Sequence, residues 1–260
     1  MKKIALGIEY DGSAYNGWQR QKHGYGVQQA VEAAVSKVAN QEISVICAGR
    51  TDTGVHALGQ VIHFETSAER SERSWILGVN ANLPKDISVH WAKSVSEDFH
   101  ARFSALNRRY QYIILNQFSR PAILSKSVTW QGKPLDVQLM SEAAKALIGE
   151  HDFSSYRTVA CQAKSPIRTI YNLDVSQQGQ FICIDICANA FLHHMVRNIA
   201  GVLMTIGVKE QKPTWAAEVL EYKDRKLGGV TASPDGLYFV SVAYPEKFAI
   251  PELNGTGLIT

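Results

Sequence analysis

Apolar and polar residues alternate over positions 3–10 in the pattern of a β-strand. Its apolar side chains share one face: Ile4, Leu6, Ile8 and Tyr10. Apolar residues then recur at helical spacing over 27–38, and Asn40 follows them as a stop signal. The chain is therefore predicted to open with a strand and an amphipathic helix.

The remainder of the first hundred residues continues the mixture of strands and helices. Strands are predicted over 43–47 and 59–65, on either side of a polar, glycine-bearing segment, AGRTDTGVHA. A short helix over 74–80 ends before Pro84, and a strand over 87–95 follows. The predicted order is βαββαβ, and the polar segment is a candidate site.

The same kinds of element recur in the second part of the chain. The patterns predict a strand over 110–115, a helix capped by Asp136 and extending to 148, and a hairpin of 170–175 with 181–186. The second part is completed by a long apolar helix over 190–206, a helix over 215–223 and a strand over 237–243.

Two comparable halves of strands and helices favour an α+β fold. We expect two subdomains, each a mostly antiparallel sheet backed by helices in the ferredoxin or RRM manner, with a catalytic cleft between them. The predicted boundaries are 1–104 for the N-terminal subdomain, 105–249 for the C-terminal subdomain and 250–260 for a tail.

The composition is that of a globular protein, with 45% hydrophobic and 20% charged residues among 260. No segment approaches the roughly 18 consecutive apolar residues of a membrane span, and the N-terminal pattern is unlike a signal peptide. We therefore expect a cytoplasmic protein without a membrane partner. The four cysteines lack metal-site spacing and are predicted to be free thiols: Cys47, Cys161, Cys183 and Cys187.

The net charge of +3 conceals an uneven distribution. Segments 99–133 and 153–173 contain nine of the 27 basic residues and no acidic residue, which leaves 18 basic and 24 acidic residues elsewhere. This segregation favours a polyanionic partner, although solvated basic loops are an alternative. Aromatic residues lie among these charges and suit either stacking on unpaired RNA bases or a strand core: Tyr110, Tyr112, Phe118, Phe153 and Tyr156.

The polar segment places the carboxylate of Asp52 in a glycine-flanked loop beside Arg50. An aspartate in such a loop is commonly a turn former that binds its own backbone. A carboxylate next to a guanidinium is also a candidate for acid–base or nucleophilic chemistry. The loop alone does not decide between these interpretations.

Four segments together resemble the TruA family of tRNA pseudouridine synthases: LGIEYDGSAYNGWQRQ, GRTDTGVHALGQVIHFET, FHARFSALNRRYQYIILN and ANAFLHHMVRNIAG. The resemblance is collinear from about Lys3 to Tyr244. It implies isomerisation of uridine to pseudouridine at positions 38–40 of the tRNA anticodon stem-loop. It also implies a homodimer that needs neither a metal nor an organic cofactor.

The resemblance assigns roles to individual residues. Asp52 corresponds to the catalytic aspartate, which attacks C1′ or removes the 2′ proton, and Arg197 to the arginine that pairs with it. Tyr110 corresponds to a tyrosine that packs against the target base, and Arg50 to a residue that fills the space of the extruded nucleotide. From the pattern alone, Tyr110 suits a strand core and Arg197 a helix surface.

Further positions are implied to surround the substrate. Leu237 corresponds to an apolar wall beside the carboxylate, although from the sequence alone core packing is by far the commoner role of a leucine. Arg70, Arg102 and the 160–164 loop with Lys164 correspond to positions that contact tRNA, where binding to phosphates is the expected role.

Other chemistries are less well supported. His193 and His194 are predicted to be adjacent on a helix, where side chains point about 100° apart and cannot readily bind one metal ion. Two other functions remain open: a noncatalytic RNA-binding module, and a glycoside-cleaving enzyme. The second normally needs two carboxylates, and the loop offers Asp52 alone.

Overall fold

The computed structural model describes residues 1–251, so the predicted tail lies outside the described residues from position 252. Within that range there are five helices: α1 (Val27–Ala39), α2 (Glu72–Asn80), α3 (Val137–Lys145), α4 (Met195–Gly207) and α5 (Trp215–Tyr222). The strands are β1 (Lys2–Tyr10), β2 (Ile46–Cys47), β3 (His56–Thr66), β4 (Ile87–Val95), β5 (Asn107–Asn116), β6 (Thr129–Gln131), β7 (Gly149–Asp152), β8 (Ile167–Gln178), β9 (Phe181–Ala188) and β10 (Leu237–Ala243).

The chain forms two compact units. Unit 1 contains Met1–Leu106 and the described chain from Tyr238 onward, and unit 2 contains Asn107–Leu237. Most of β10 therefore belongs to unit 1, whereas the sequence pattern placed this strand in the second subdomain. The boundaries at 104 and 249 stay predictions.

In unit 1, β1 lies between β3 and β4 and is antiparallel to both. The other edge of β3 carries β2, which is antiparallel, and β10, which is parallel. The pattern predicted one buried face for β1, but every residue from Ile4 to Ile8 is buried. Glycine suits position 7 because the Trp91 indole occupies the space that a Cβ atom would need. Helix α2 packs on β4 and on α1.

In unit 2, the strand order is β6-β5-β9-β8-β7. Only the β5–β6 pairing among these is parallel. Helix α4 contacts β5, and α3 contacts both β8 and α4. Both units thus combine a mostly antiparallel sheet with helices, which confirms the α+β class.

The predicted elements differ from the structure in a few places. The strand expected over 43–47 is regular only at Ile46–Cys47. The helix expected over 190–206 begins at Met195, because His194 has a left-handed backbone with φ 64° and caps it. Strands β6 and β7 were not predicted. Within residues 1–251, no helix has the length and apolar character needed to cross a membrane.

The suggested stacking role fails for most of the aromatic residues in the basic segments. Tyr112, Phe153 and Tyr156 are completely buried in unit 2 and belong to its core. Phe118 is 91% exposed. The aromatic residues thus include core side chains and one surface side chain, and they do not form a common stacking surface.

Candidate active site

Asp52 lies in the loop that connects β2 to β3 in unit 1. It starts a tight turn in which the Val55 amide donates to the Asp52 carbonyl at 3.1 Å. Gly54 occupies the third position of the turn with φ 79°, a left-handed conformation that glycine adopts without strain. The Asp52 side chain is partly buried. Gly54, the second glycine of the GRTDTG motif, therefore shapes the turn that presents this carboxylate.

The segment just after β1 forms a support beneath this turn. The Trp18 amide donates to the Thr51 carbonyl at 3.0 Å, and the Gly54 amide donates to the Tyr15 carbonyl at 3.3 Å. Gly17 has φ 82°, and a Cβ there would lie 2.6 Å from the Thr51 carbonyl oxygen. Only glycine permits this close approach. The glycines of the DGSAYNGW segment were the available sequence signal for this support.

A buried amide holds the other end of the loop. Gln60 on β3 accepts hydrogen bonds from the Ala48 and Gly49 amides at 3.1 and 3.3 Å, and its Nε2 donates to the Gly49 carbonyl at 2.5 Å. The Tyr10 and Thr51 hydroxyls lie 2.8 Å apart. Burial raises the pKa of Tyr10 and keeps the phenol neutral. Gln60 thus holds the start of the Asp52 loop, and the sequence pattern did not identify this residue.

His56, which ends the GRTDTGVH segment, has a supporting position. Its Nδ1 accepts a hydrogen bond from the Gly12 amide at 3.1 Å, and its ring stacks on Tyr238 with centroids 4.7 Å apart. Gly12 itself packs directly against the Val55 carbonyl. His56 therefore joins the support segment, the Asp52 loop and β10.

The candidate arginines of unit 1 are on its surface. Arg50, Arg70 and Arg102 are all exposed. Arg70 donates to the carbonyl of Glu69 at 2.9 Å, and the Arg102 guanidinium lies 5.5 Å from the ring centre of Phe103. Exposed guanidinium groups can bind phosphates without a large desolvation cost.

Tyr110 lies on β5 of unit 2, opposite Ile186 of β9. Its side chain is 8% exposed and packs edge-to-face against Phe191 with ring centres 5.0 Å apart. This contact fixes the plane of the phenol ring. The residue therefore has the rigid apolar surroundings that packing against a base would require.

Arg197 lies in the first turn of α4, and the 230–237 segment runs beside it. Its Nε donates to the Ala232 carbonyl at 2.8 Å, and the Ala232 amide donates to the Arg197 carbonyl at 3.1 Å. Leu237 begins β10 and is buried, with its amide bound to the Pro234 carbonyl at 2.9 Å. Unit 2 thus carries Tyr110, Arg197 and Leu237 on β5, α4 and β10.

Arg109 and Lys133, both in the acid-free segments, have acidic partners in the fold. Arg109 pairs with Asp185 through two nitrogens, at 2.8 and 2.6 Å, and this contact raises the arginine pKa. Lys133 pairs with Glu210 at 2.8 Å. Lys164 is exposed in the loop after Thr158. The folded chain therefore offers a smaller positive surface than the residue count indicates.

His193 and His194 do not lie on a helix, contrary to the prediction from the sequence. Both precede α4, and their ring centres lie 4.2 Å apart. The prediction that their side chains point about 100° apart, as on a helix, was therefore wrong. The Thr158 amide donates to the His193 carbonyl at 3.0 Å, which ties this bend to the 158–164 loop.

Comparison with known proteins identifies the chain. The family model described as tRNA pseudouridine synthase matches residues 7–104 and 143–245. Curated proteins named tRNA pseudouridine synthase A are similar over nearly their full length. The protein from Nitrosococcus oceani is 58% identical over 97% of both chains. The Pseudomonas aeruginosa protein is 58% identical over 97% of this chain and 89% of its own, and the Alcanivorax borkumensis protein is 55% identical over 97% and 95%. The chain belongs to the tRNA pseudouridine synthase family and is an isomerase that acts on uridine in tRNA.

Proposed function

We propose that the chain converts uridine to pseudouridine at positions 38–40 of the tRNA anticodon stem-loop, with Asp52 as its catalytic carboxylate. The observation that carries this proposal is the construction of the Asp52 loop. Gly17, Gly54 and Gln60 hold the backbone on both sides of one partly buried carboxylate. The choice of anticodon positions rests on the resemblance of the four sequence motifs.

The reaction defines what the site must do. The bond between N1 and C1′ breaks, the detached uracil turns, and C5 bonds to C1′. The proton on C5 is then lost, and N1 gains a proton. Substrate and product contain the same atoms at the same oxidation level, so the conversion needs no redox partner, and we propose that it proceeds without a cofactor. The protein must supply a carboxylate, a rigid surface for the base and exclusion of water.

Asp52 supplies the carboxylate, either by attacking C1′ or by removing the 2′ proton, and both routes need it ionised. We propose that Arg197 of unit 2 pairs with it. A guanidinium keeps a partly buried carboxylate ionised and oriented. The bond from its Nε to the Ala232 carbonyl orients the guanidinium plane.

Tyr110 and Leu237 supply the surface for the uracil. Both are largely buried, and Phe191 fixes the Tyr110 ring. The Tyr110 phenol can also transfer protons around C5. Arg50 is exposed and long enough to occupy the space that the extruded nucleotide leaves. These residues, with Asp52 and Arg197, form the proposed active site.

Arg70, Arg102 and Lys164 are proposed to bind the tRNA backbone. All three are exposed, and phosphate contacts position a nucleic acid without reading its sequence. The proposed assembly is a homodimer in the cytoplasm, as the resemblance implies.

The test is to map pseudouridine in a mixed tRNA pool after incubation with purified protein and no added cofactor. We expect new pseudouridine at positions 38–40. Asp52→Ala should abolish it while tRNA affinity stays within about tenfold, because phosphate contacts dominate binding. Thr53→Ala, an exposed neighbour in the same turn, is the control and should remain active.

Three results would contradict the proposal. Modification outside the anticodon arm would overturn the substrate assignment. Full activity of Asp52→Ala would overturn the catalytic role of the carboxylate. Tight tRNA binding by the wild type without any isomerisation would favour a noncatalytic RNA-binding protein.

A further inference from the structure

Asn198, the neighbour of Arg197 in α4, is a buried polar residue with no role in the proposed chemistry. Its side chain is 1% exposed, and its amide is satisfied at both ends. Nδ2 donates to the Tyr156 carbonyl at 2.8 Å. Oδ1 accepts from the Thr231 hydroxyl at 2.6 Å and from Arg225 Nη2 at 3.0 Å. One amide therefore joins α4 to two irregular segments of unit 2.

Arg225 closes the second of these segments into a fixed loop. Its Nη1 donates to the Gly229 carbonyl at 2.8 Å, and its Nη2 also donates to the Thr231 hydroxyl at 2.8 Å. Gly201 on α4 has no side chain, which lets the Val230 carbonyl pack directly against the helix. Residues 225–232 thus follow α4 closely although they lack regular secondary structure over most of their length.

This loop ends at the group that holds Arg197. Ala232 accepts the hydrogen bond from Arg197 Nε and returns one from its own amide to the Arg197 carbonyl. Thr231, which binds Asn198, is the residue immediately before Ala232. The position of the carbonyl that orients Arg197 therefore depends on the contacts among Asn198, Thr231 and Arg225.

We propose that Asn198 is a positioning residue for the isomerisation, acting through the 231–232 backbone on the Arg197 guanidinium. The inference rests on the proposed role of Arg197. An arginine side chain has several rotatable bonds, and fixing its Nε determines where its terminal nitrogens point. A displacement of about 1 Å in a reacting group can cost on the order of a hundredfold in rate.

The expected effect of Asn198→Ala is a fall in kcat of about 10- to 100-fold with KM for tRNA changed less than about threefold. The matched control is Asn80→Ala. The Asn80 side-chain amide also makes two hydrogen bonds: it donates to the Val89 carbonyl at 2.9 Å and accepts from the Val89 amide at 2.7 Å. These bonds join α2 to β4 in unit 1. Asn80→Ala should therefore lower the melting temperature without lowering kcat.

A double-mutant cycle separates positioning from general destabilisation. Arg197→Lys keeps a positive charge but has no Nε to bind the Ala232 carbonyl. Its kcat should therefore fall but remain high enough to measure. Asn198→Ala added to Arg197→Lys should reduce kcat by less than about twofold, because the contact it supports is already gone. If the losses multiply, or if Asn80→Ala lowers kcat equally, the inference is wrong.

A milder variant covers the case in which Asn198→Ala does not fold. Thr231→Val keeps the shape of the side chain and removes its hydroxyl, and it should lower kcat in wild type and not in Arg197→Lys. Full activity of Thr231→Val would overturn the proposed link. Full activity of Arg197→Lys and Arg197→Ala would instead refute the role of Arg197 in the proposed function.

Discussion

The support beneath the Asp52 loop leads to a prediction for Gly17→Ala. Gly17 has φ 82°, where a residue with a side chain costs about 1–2 kcal/mol. The new Cβ would lie 2.6 Å from the Thr51 carbonyl oxygen and 3.0 Å from the Asp52 carbonyl carbon. An ordinary contact is near 3.5 Å, so the loop must retreat by roughly 0.9 Å.

That retreat breaks the hydrogen bond from the Trp18 amide to the Thr51 carbonyl, 3.0 Å long in the native chain. Such a bond contributes about 1 kcal/mol, so the total loss of unfolding free energy is about 2–3 kcal/mol. The melting temperature should fall by about 5–10 °C. Because the Asp52 backbone moves with Thr51, kcat should fall by on the order of a hundredfold.

Gly179→Ala is the matched control. Gly179 also has a positive φ, 60°, but no atom lies within 4 Å of the position of an added Cβ. It is in the β8–β9 turn of unit 2, so the variant incurs the backbone strain without moving the Asp52 loop. The assay follows release of the C5 hydrogen from labelled tRNA below both melting temperatures. Equal kcat in the two variants would refute the reasoning.

Three further predictions concern proton transfer, pH and salt. Tyr110→Phe should keep the buried ring but lower the rate of isomerisation. An unchanged rate in single-turnover assays would exclude the phenol from the chemistry. Burial lowers the pKa of His63 to about 4, and its Nδ1 accepts from the Ala101 amide at 3.1 Å. Since unfolded histidine binds a proton near pH 6.5, stability should fall as pH drops from 6.5 to 4, and His63→Gln should flatten this dependence in melting curves. Lys164→Gln should reduce the slope of log affinity against log salt for tRNA by about 0.7–0.9, whereas Lys2→Gln, paired with Glu69 at 3.0 Å, should leave it unchanged.

Elements with a regular apolar period could be predicted closely from the sequence. Helix α1 and strand β4 follow the expected ranges, because a single repeat describes each buried face. The start of α4 could not be predicted from the sequence, because the apolar composition of 190–194 does not reveal the left-handed backbone at His194. Strand β7 is a short polar segment that forms only by pairing with β8, a contact remote in sequence.

The sequence was enough to name the candidate site residues, but it did not identify the groups that hold those residues in place. The motifs identified Asp52 and Arg197 by resemblance. Their supports, Gln60 and Asn198, are ordinary polar residues in apolar surroundings, and no spacing rule distinguishes them from surface amides. Only the fold shows that both are buried. The charge count overstated the positive surface for a similar reason, because the pairing of Arg109 with Asp185 is a cross-strand contact.

The two supports share a physical property that suits their position. Gln60 and Asn198 are neutral amides, and each provides a donor and an acceptor to irregular backbone beside a residue proposed to act while charged. A carboxylate in place of Gln60 would have no donor for the Gly49 carbonyl and would place a second negative charge in the Asp52 loop. A carboxylate in place of Asn198 would attract Arg225 strongly and would add a negative charge next to Arg197 in α4. Amides therefore hold both segments without adding a charge beside the residues that are proposed to act while charged, Asp52 in unit 1 and Arg197 in unit 2.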